Sequence, residues 1–116
     1  MLSPGVHHAI HDRNFADLMK AEKAVLVVGR TDCANCGPYN EEIEQLVRKP
    51  HFKSIVFGKL TLDKPGGLEL KKSQPWLADL ALLPHTVLYR KGKKVDEFAA
   101  ANAATLVEHI EDFLLN

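Results

Sequence analysis

The 116-residue sequence has no apolar run approaching the ~20 residues that a membrane-spanning helix needs. It has no surplus of charge either: 15 lysines and arginines balance 15 aspartates and glutamates. Nothing in that balance favours nucleic acid, an anionic membrane or a strongly charged substrate. The opening residues, MLSPGVHHAIHDRNF, lack the basic start and apolar stretch of a secretory signal. A cytoplasmic protein is therefore the expectation, although an exported domain freed of its signal would look the same. Cysteine is scarce as well. Two thiols cannot build a multi-disulfide framework. No second C-x-x-C is present to complete a four-thiolate zinc or iron–sulfur site.

What is present is enough apolar residue, 46% of the chain, for one ordinary core. The expectation is a single domain over 1–116, with residues 1–9 allowed to be flexible. Phe15, Leu18 and Met19 recur at helical spacing behind Asp12, which reads as an N-cap, so 12–21 is expected as a short amphipathic helix. The β-branched run AVLVV (24–28) suits a strand buried on both faces. Ile43, Leu46 and Val47 share one helical face opposite Glu41, Glu42, Glu44 and Gln45, and Lys49-Pro50 stops that helix. SIVFGKLTLD (54–63) reads as a second strand and KPGG (64–67) as a loop. Pro75 fits the first turn of a helix carrying Trp76, Leu77, Leu80 and Leu83. TVLY (86–89) and KVDEF (94–98) flank a hairpin turn at Gly92. Leu106, Val107, Ile110, Phe113 and Leu114 form the stripe of a closing helix with Asn102 as its cap. A short strand near Val6 to Ile10 would precede the series. The order gives an α/β fold with a mixed central sheet covered by helices.

Both cysteines lie in RTDCANCGPY (30–39), between the apolar strand and a helical pattern. From the residues alone, Cys33 and Cys36 read as a redox centre, as half of a metal site shared between two copies, or as two buried thiols. His85 adds one ligand and leaves a metal site incomplete. His7 and His11 stand at i, i+4 spacing, but in a segment not expected to be helical, where solvated side chains are the simpler reading. Trp76 and Tyr89 read as core aromatics, and RKGKK as a solvated hairpin tip.

Three features together resemble the thioredoxin family over roughly residues 10–115. They are the C-x-x-C directly after VLVV, the Pro84-to-Gly92 separation in LPHTVLYRKG, and GKLTLD with Lys59 and Asp63. The resemblance implies a thioredoxin-like three-layer sandwich, with Cys33 as the attacking thiol, Cys36 as the resolving thiol, and a cis Leu83-Pro84 bond. Asp32, Ala34, Asn35, Leu83 and Pro84 would then line the substrate groove. The chemistry suits the placement. A cysteine at a helix N-terminus meets unpaired N–H groups and the positive end of the dipole, which lower its pKa from ~8.5 into roughly the 3.5–7.5 range.

The sequence also departs from the family. Asp32 stands where a tryptophan is usual and sets a negative charge beside Cys33, against thiolate formation. Pro38 falls two residues after Cys36, where its missing N–H should kink or delay the helix. CGPY (36–39) offers a second register in which Cys36 would be the nucleophile. Val27 occupies the place of a buried aspartate, which leaves Lys59 to find Asp63 or water, or to lean toward Cys36 and tune its thiolate. The segment between Asp63 and Pro84 is longer than the family's, so the helix bearing Trp76 should be longer.

The expected function is thiol–disulfide exchange with protein disulfides, as part of cell redox homeostasis. No bound cofactor is needed beyond the redox-active Cys33–Cys36 disulfide. A reductase of the thioredoxin-reductase type or a low-molecular-weight thiol would be the reductant, and a monomer is expected. The competing reading is a non-catalytic thioredoxin-like module that holds a protein partner in the same groove.

Overall fold

The computed structural model describes residues 2–115. Its elements in chain order are β1 (His7–Ala9), α1 (Phe15–Lys20), β2 (Lys23–Gly29), α2 (Cys36–Leu46), β3 (Val56–Thr61), α3 (Pro65–Ser73), β4 (His85–Arg90), β5 (Lys93–Phe98) and α4 (Ala103–Phe113). Two 3₁₀ turns, Pro50–Phe52 and Pro75–Asp79, lie before β3 and β4. The strands form one mixed sheet in the order β1-β3-β2-β4-β5, with β1, β3 and β2 parallel and β4 and β5 antiparallel to their neighbours.

The apolar run of β2 has a direct cause in this sheet. Val25 and Val27 face a core layer built with Tyr39, Ile43 and Leu46 of α2 and Leu106 and Ile110 of α4. Ala24, Leu26 and Val28 face the opposite layer, with Leu18 of α1, Leu70 of α3 and Leu77. A central strand covered on both faces has no solvent side on which to place polar residues. The helix-covered sheet makes three layers around the strand that ends at the redox loop.

Local chemistry sets the element ends. Asn102 caps α4 by accepting the Thr105 N–H at 2.8 Å. The other end of α4 is held by Arg90, whose guanidinium donates to the carbonyls of Phe113 and Leu114 at 3.1 Å each. Lys91 and Gly92, with φ of 53° and 78°, form the two-residue turn between β4 and β5. Positive φ at both centres matches the twist of the flanking strands, which is why a glycine is needed there.

Three expectations change. The first helix starts at Phe15 behind Asn14, not behind Asp12; the Asn14 side chain instead ties the preceding turn, accepting from His11 N–H and donating to the Ala9 carbonyl. KPGG is not a loop. Pro65 opens α3, where its fixed φ and missing N–H fit a first helical turn, and Gly66 and Gly67 allow that turn to pack closely on His11 and β3. The residues after Pro75 form a 3₁₀ turn ending at Asp79 instead of a longer α-helix, because α3 has already used the residues before Gln74.

Candidate redox site

β2 ends at Gly29, and the next six residues carry the chain to the first residue of α2, Cys36. Pro38 explains this late start. It is the third residue of α2, inside the first turn, where a backbone N–H would have no helical partner in any case. The proline is therefore accommodated, and Cys33 is left in the loop ahead of the helix. The Cys36 N–H reaches back to the Cys33 carbonyl at 3.3 Å, closing a turn around Ala34 and Asn35.

Cys33 and Cys36 form a disulfide, with Cα atoms 5.4 Å apart. Its two sulfurs are not equivalent. Cys33 is half-buried, whereas Cys36 is 4% exposed and packs on the end of β2. Gly29 makes the room: a Cβ there would lie 2.8 Å from the Cys36 sulfur. We expect Gly29→Ala to push Cys36 off its seat at a cost of about 1–3 kcal/mol, the usual range for overpacking. Chemical denaturation of the oxidised protein measures this, and a variant as stable as the parent would contradict the close fit.

The opposite wall comes from β4. His85 pairs with Val28 in the antiparallel register, so Pro84 lies across from Gly29, at the strand end where Cys36 packs. Pro84 is buried, the Leu83–Pro84 peptide is cis, Leu83 is half-buried and Leu82 is 67% exposed. Asp32, Ala34 and Asn35 are exposed on the loop. The fold thus brings Asp32 to Cys36 together with Leu83 and Pro84 at one end of the sheet.

The charges of the loop are partnered. The Arg30 Nε donates to Asp32 at 3.1 Å, so the carboxylate beside Cys33 shares its charge with a guanidinium. Asp63, just past β3, accepts both the hydroxyl and the backbone N–H of Thr31, the latter at 3.0 Å. These two bonds, the hydroxyl first, hold its carboxyl below the usual carboxylate range. Asp63 is thereby an anchor for the redox loop and not a partner for Lys59. Lys59 makes no ion pair among the described residues; it lines a cleft of about 540 Å³ with Ala9 of β1 and Lys64. Val27, two residues before Gly29, is fully buried between Lys59 and Thr86 in the sheet register. His85 turns to Glu97, 3.2 Å away, and Lys94 pairs with the same carboxylate. Among the described residues no group of three or more His, Cys, Asp and Glu side chains is placed to hold a metal ion.

Sequence reasoning missed Gly29, the Thr31–Asp63 anchor and a buried hydroxyl pair, Tyr39 and Thr86. The position of Tyr39, three residues after Cys36 on the inward face of a helix, was the one available signal for that pair.

No family model matches the chain. Thioredoxin of the channel catfish, Ictalurus punctatus, is 28% identical to it over 99 residues, covering 84% of this chain and 87% of that one. The chain is thioredoxin-like. The fold agrees: the short form of thioredoxin f from spinach chloroplast superposes with a TM-score of 0.79 at 19% identity, covering 97% of this chain and 96% of that one. A structure of thioredoxin f2 with ferredoxin:thioredoxin reductase gives a TM-score of 0.78 at 18% identity, over 96% and 97% of the two chains. Within the thioredoxin fold, this chain pairs its thiols across Ala-Asn and seats the inner one on a glycine.

Proposed function

We propose that this thioredoxin-like chain is a thiol–disulfide oxidoreductase that reduces protein disulfides through Cys33 and Cys36. The observation that carries the reading is the asymmetric disulfide, with one sulfur half-exposed in a loop and the other buried against Gly29 opposite Pro84.

In the reduced protein, the Cys33 thiolate attacks one sulfur of a substrate disulfide, forming the Cys33–substrate bond and expelling the other substrate sulfur as a thiolate. Cys36 then loses its proton to solvent and attacks the Cys33 sulfur. The Cys33–Cys36 bond forms, the mixed disulfide breaks, and the second substrate sulfur leaves and is protonated. Two electrons have passed to the substrate and the pair is oxidised. Leu83 offers its backbone to an extended substrate strand beside the pair, with Asp32, Ala34 and Asn35 as the opposite bank.

A dithiol reductase or a low-molecular-weight thiol returns the pair to its reduced form; the thioredoxin f2 structure with its reductase supports a reductase as the partner. No helix among the described residues is long and apolar enough to cross a membrane. We place the protein in the cytoplasm as a monomer that contributes to redox homeostasis there, consistent with the balanced charge and the two-cysteine composition. The disulfide favours exchange over a module that only binds.

Trapping decides which thiol attacks. Cys36→Ser incubated with insulin should accumulate a mixed disulfide at Cys33, seen by intact mass and peptide mapping. Adducts confined to Cys36, formed in Cys33→Ser and absent in Cys36→Ser, would reverse the two roles.

A further inference from the structure

The layer between the sheet and helices α2 and α4 is largely apolar; it holds His7 at its β1 edge, and a hydroxyl pair between α2 and β4. The Tyr39 hydroxyl lies 2.9 Å from the Thr86 hydroxyl, and both residues are 0% exposed. Among the described residues, this is the one hydrogen bond between two side chains that are both buried. The mechanism above does not use it.

Its place in the fold is specific. Cys36 and Tyr39 are three residues apart on α2 and both are buried, so they share the face that meets the sheet. The Cys36 sulfur sits on Gly29. Thr86 pairs with Val27, two residues earlier on the same strand and hence on the same face, one strand step of ~7 Å from Gly29. Thr86 is also two residues beyond Pro84. A single bond therefore ties the first turn of α2, which carries the inner thiol, to the start of β4, which follows the groove proline.

We propose that Tyr39 and Thr86 are positioning residues for Cys36: their hydroxyl bond fixes how far and at what angle the inner thiol faces Cys33. Apolar packing is non-directional and would let the first turn of α2 rock on the sheet. A buried hydroxyl pair does not allow this, because breaking it strands two polar groups in an apolar layer. Closing the Cys33–Cys36 bond depends on the Cys36 sulfur being held at attacking range, so the orientation of α2 enters the equilibrium directly. Burial pushes the Tyr39 hydroxyl up to about 12, so the pair stays neutral and acts by geometry, not by moving protons.

The inference deepens the exchange reading and rests on it, so the test separates the two. The parent, Tyr39→Phe, Thr86→Val, the double variant and Thr86→Ser are equilibrated with glutathione buffers and read by mass after thiol trapping. Loss of the bond should lower the equilibrium constant for the intramolecular disulfide about three- to tenfold in each single variant, the equivalent of one neutral hydrogen bond. The double variant should fall no further, because both changes remove the same bond. Thr86→Ser should restore the parent value. Alkylation of Cys33 in the reduced proteins, and the shape of the pH profile, should not change. If the variants melt earlier yet keep the parent constant, the bond is part of core packing only and the proposal is overturned. It is overturned too if Cys33 alkylation slows in step with the constant. A parent that forms no intramolecular disulfide defeats the exchange reading itself, and this inference with it.

Discussion

Cys33→Ser is expected to bring the dithiothreitol-driven reduction of insulin down to the uncatalysed rate. Without Cys33 the half-exposed attacking sulfur is gone, and Cys36, 4% exposed on Gly29, offers a substrate disulfide little access. Cys36→Ser should behave differently. Its Cys33 still attacks and captures substrate, but no internal thiol releases it, so each further turnover waits for dithiothreitol to cleave the mixed disulfide and the steady rate falls well below the parent's after a stoichiometric phase. The turbidity assay for insulin chains, with free thiols counted in parallel, distinguishes the two. Full turnover in Cys33→Ser would show that the inner sulfur reaches substrate unaided, contrary to the burial that distinguishes the pair.

The second large effect lies on β1. His7 is 6% exposed, and neither ring nitrogen has a hydrogen-bond partner among the described residues; the nearest carboxylate, Glu44 on α2, is 3.7 Å from Nδ1. Burial, and next the positive charge of Lys59, press its pKa from 6.5 to about 4. In the fold His7 is thus neutral, while in the unfolded chain it takes up a proton as the pH drops below about 6.5. Between about pH 6.5 and 4 the unfolded state binds the extra proton, so stability falls as pH falls through that window and is fully present above it. The shift corresponds to about 3 kcal/mol, a large share of an ordinary domain's 5–15 kcal/mol. Denaturant titrations at pH 7.5 and pH 4.5 should show this loss in the parent and a clearly smaller one in His7→Leu, where only carboxylates still titrate. Equal losses in both proteins would mean that His7 is solvated or partnered at low pH.

These two sites show where the sequence was legible. The redox pair could be read because C-x-x-C after a continuous β-branched run, together with the Pro84-to-Gly92 separation and GKLTLD, resembles the thioredoxin family; the run itself needs cover on both faces, which α2 with α4 on one side and α1 with α3 on the other supply. The hairpin at Gly92 and the Asn102 cap were equally readable, since each depends on contacts within a few residues. KPGG was misread because a proline followed by two glycines marks a turn by propensity, whereas here the glycines permit close packing of a helix end on β3, a tertiary condition. His7 looked like a solvated N-terminal histidine. Its burial depends on β1 pairing with β3, with His7 opposite Phe57, a contact fifty residues away. Asp63 was offered as one of several partners for Lys59, but its bonds to Thr31 depend on the path of the loop after β2, which no local pattern encodes. What sequence reading lacked in each case was a non-local contact.

Exchange of this kind requires Cys33 and Cys36 to form a reversible two-electron couple. The equilibrium reduction potential of the pair in dithiothreitol or glutathione buffers, read by mass after thiol trapping, decides whether they do. A single two-electron transition between about −180 and −270 mV, the span from protein disulfide isomerase to thioredoxin, is the predicted result. A pair that stays reduced across the whole range, or oxidises only by linking two chains, would contradict the account.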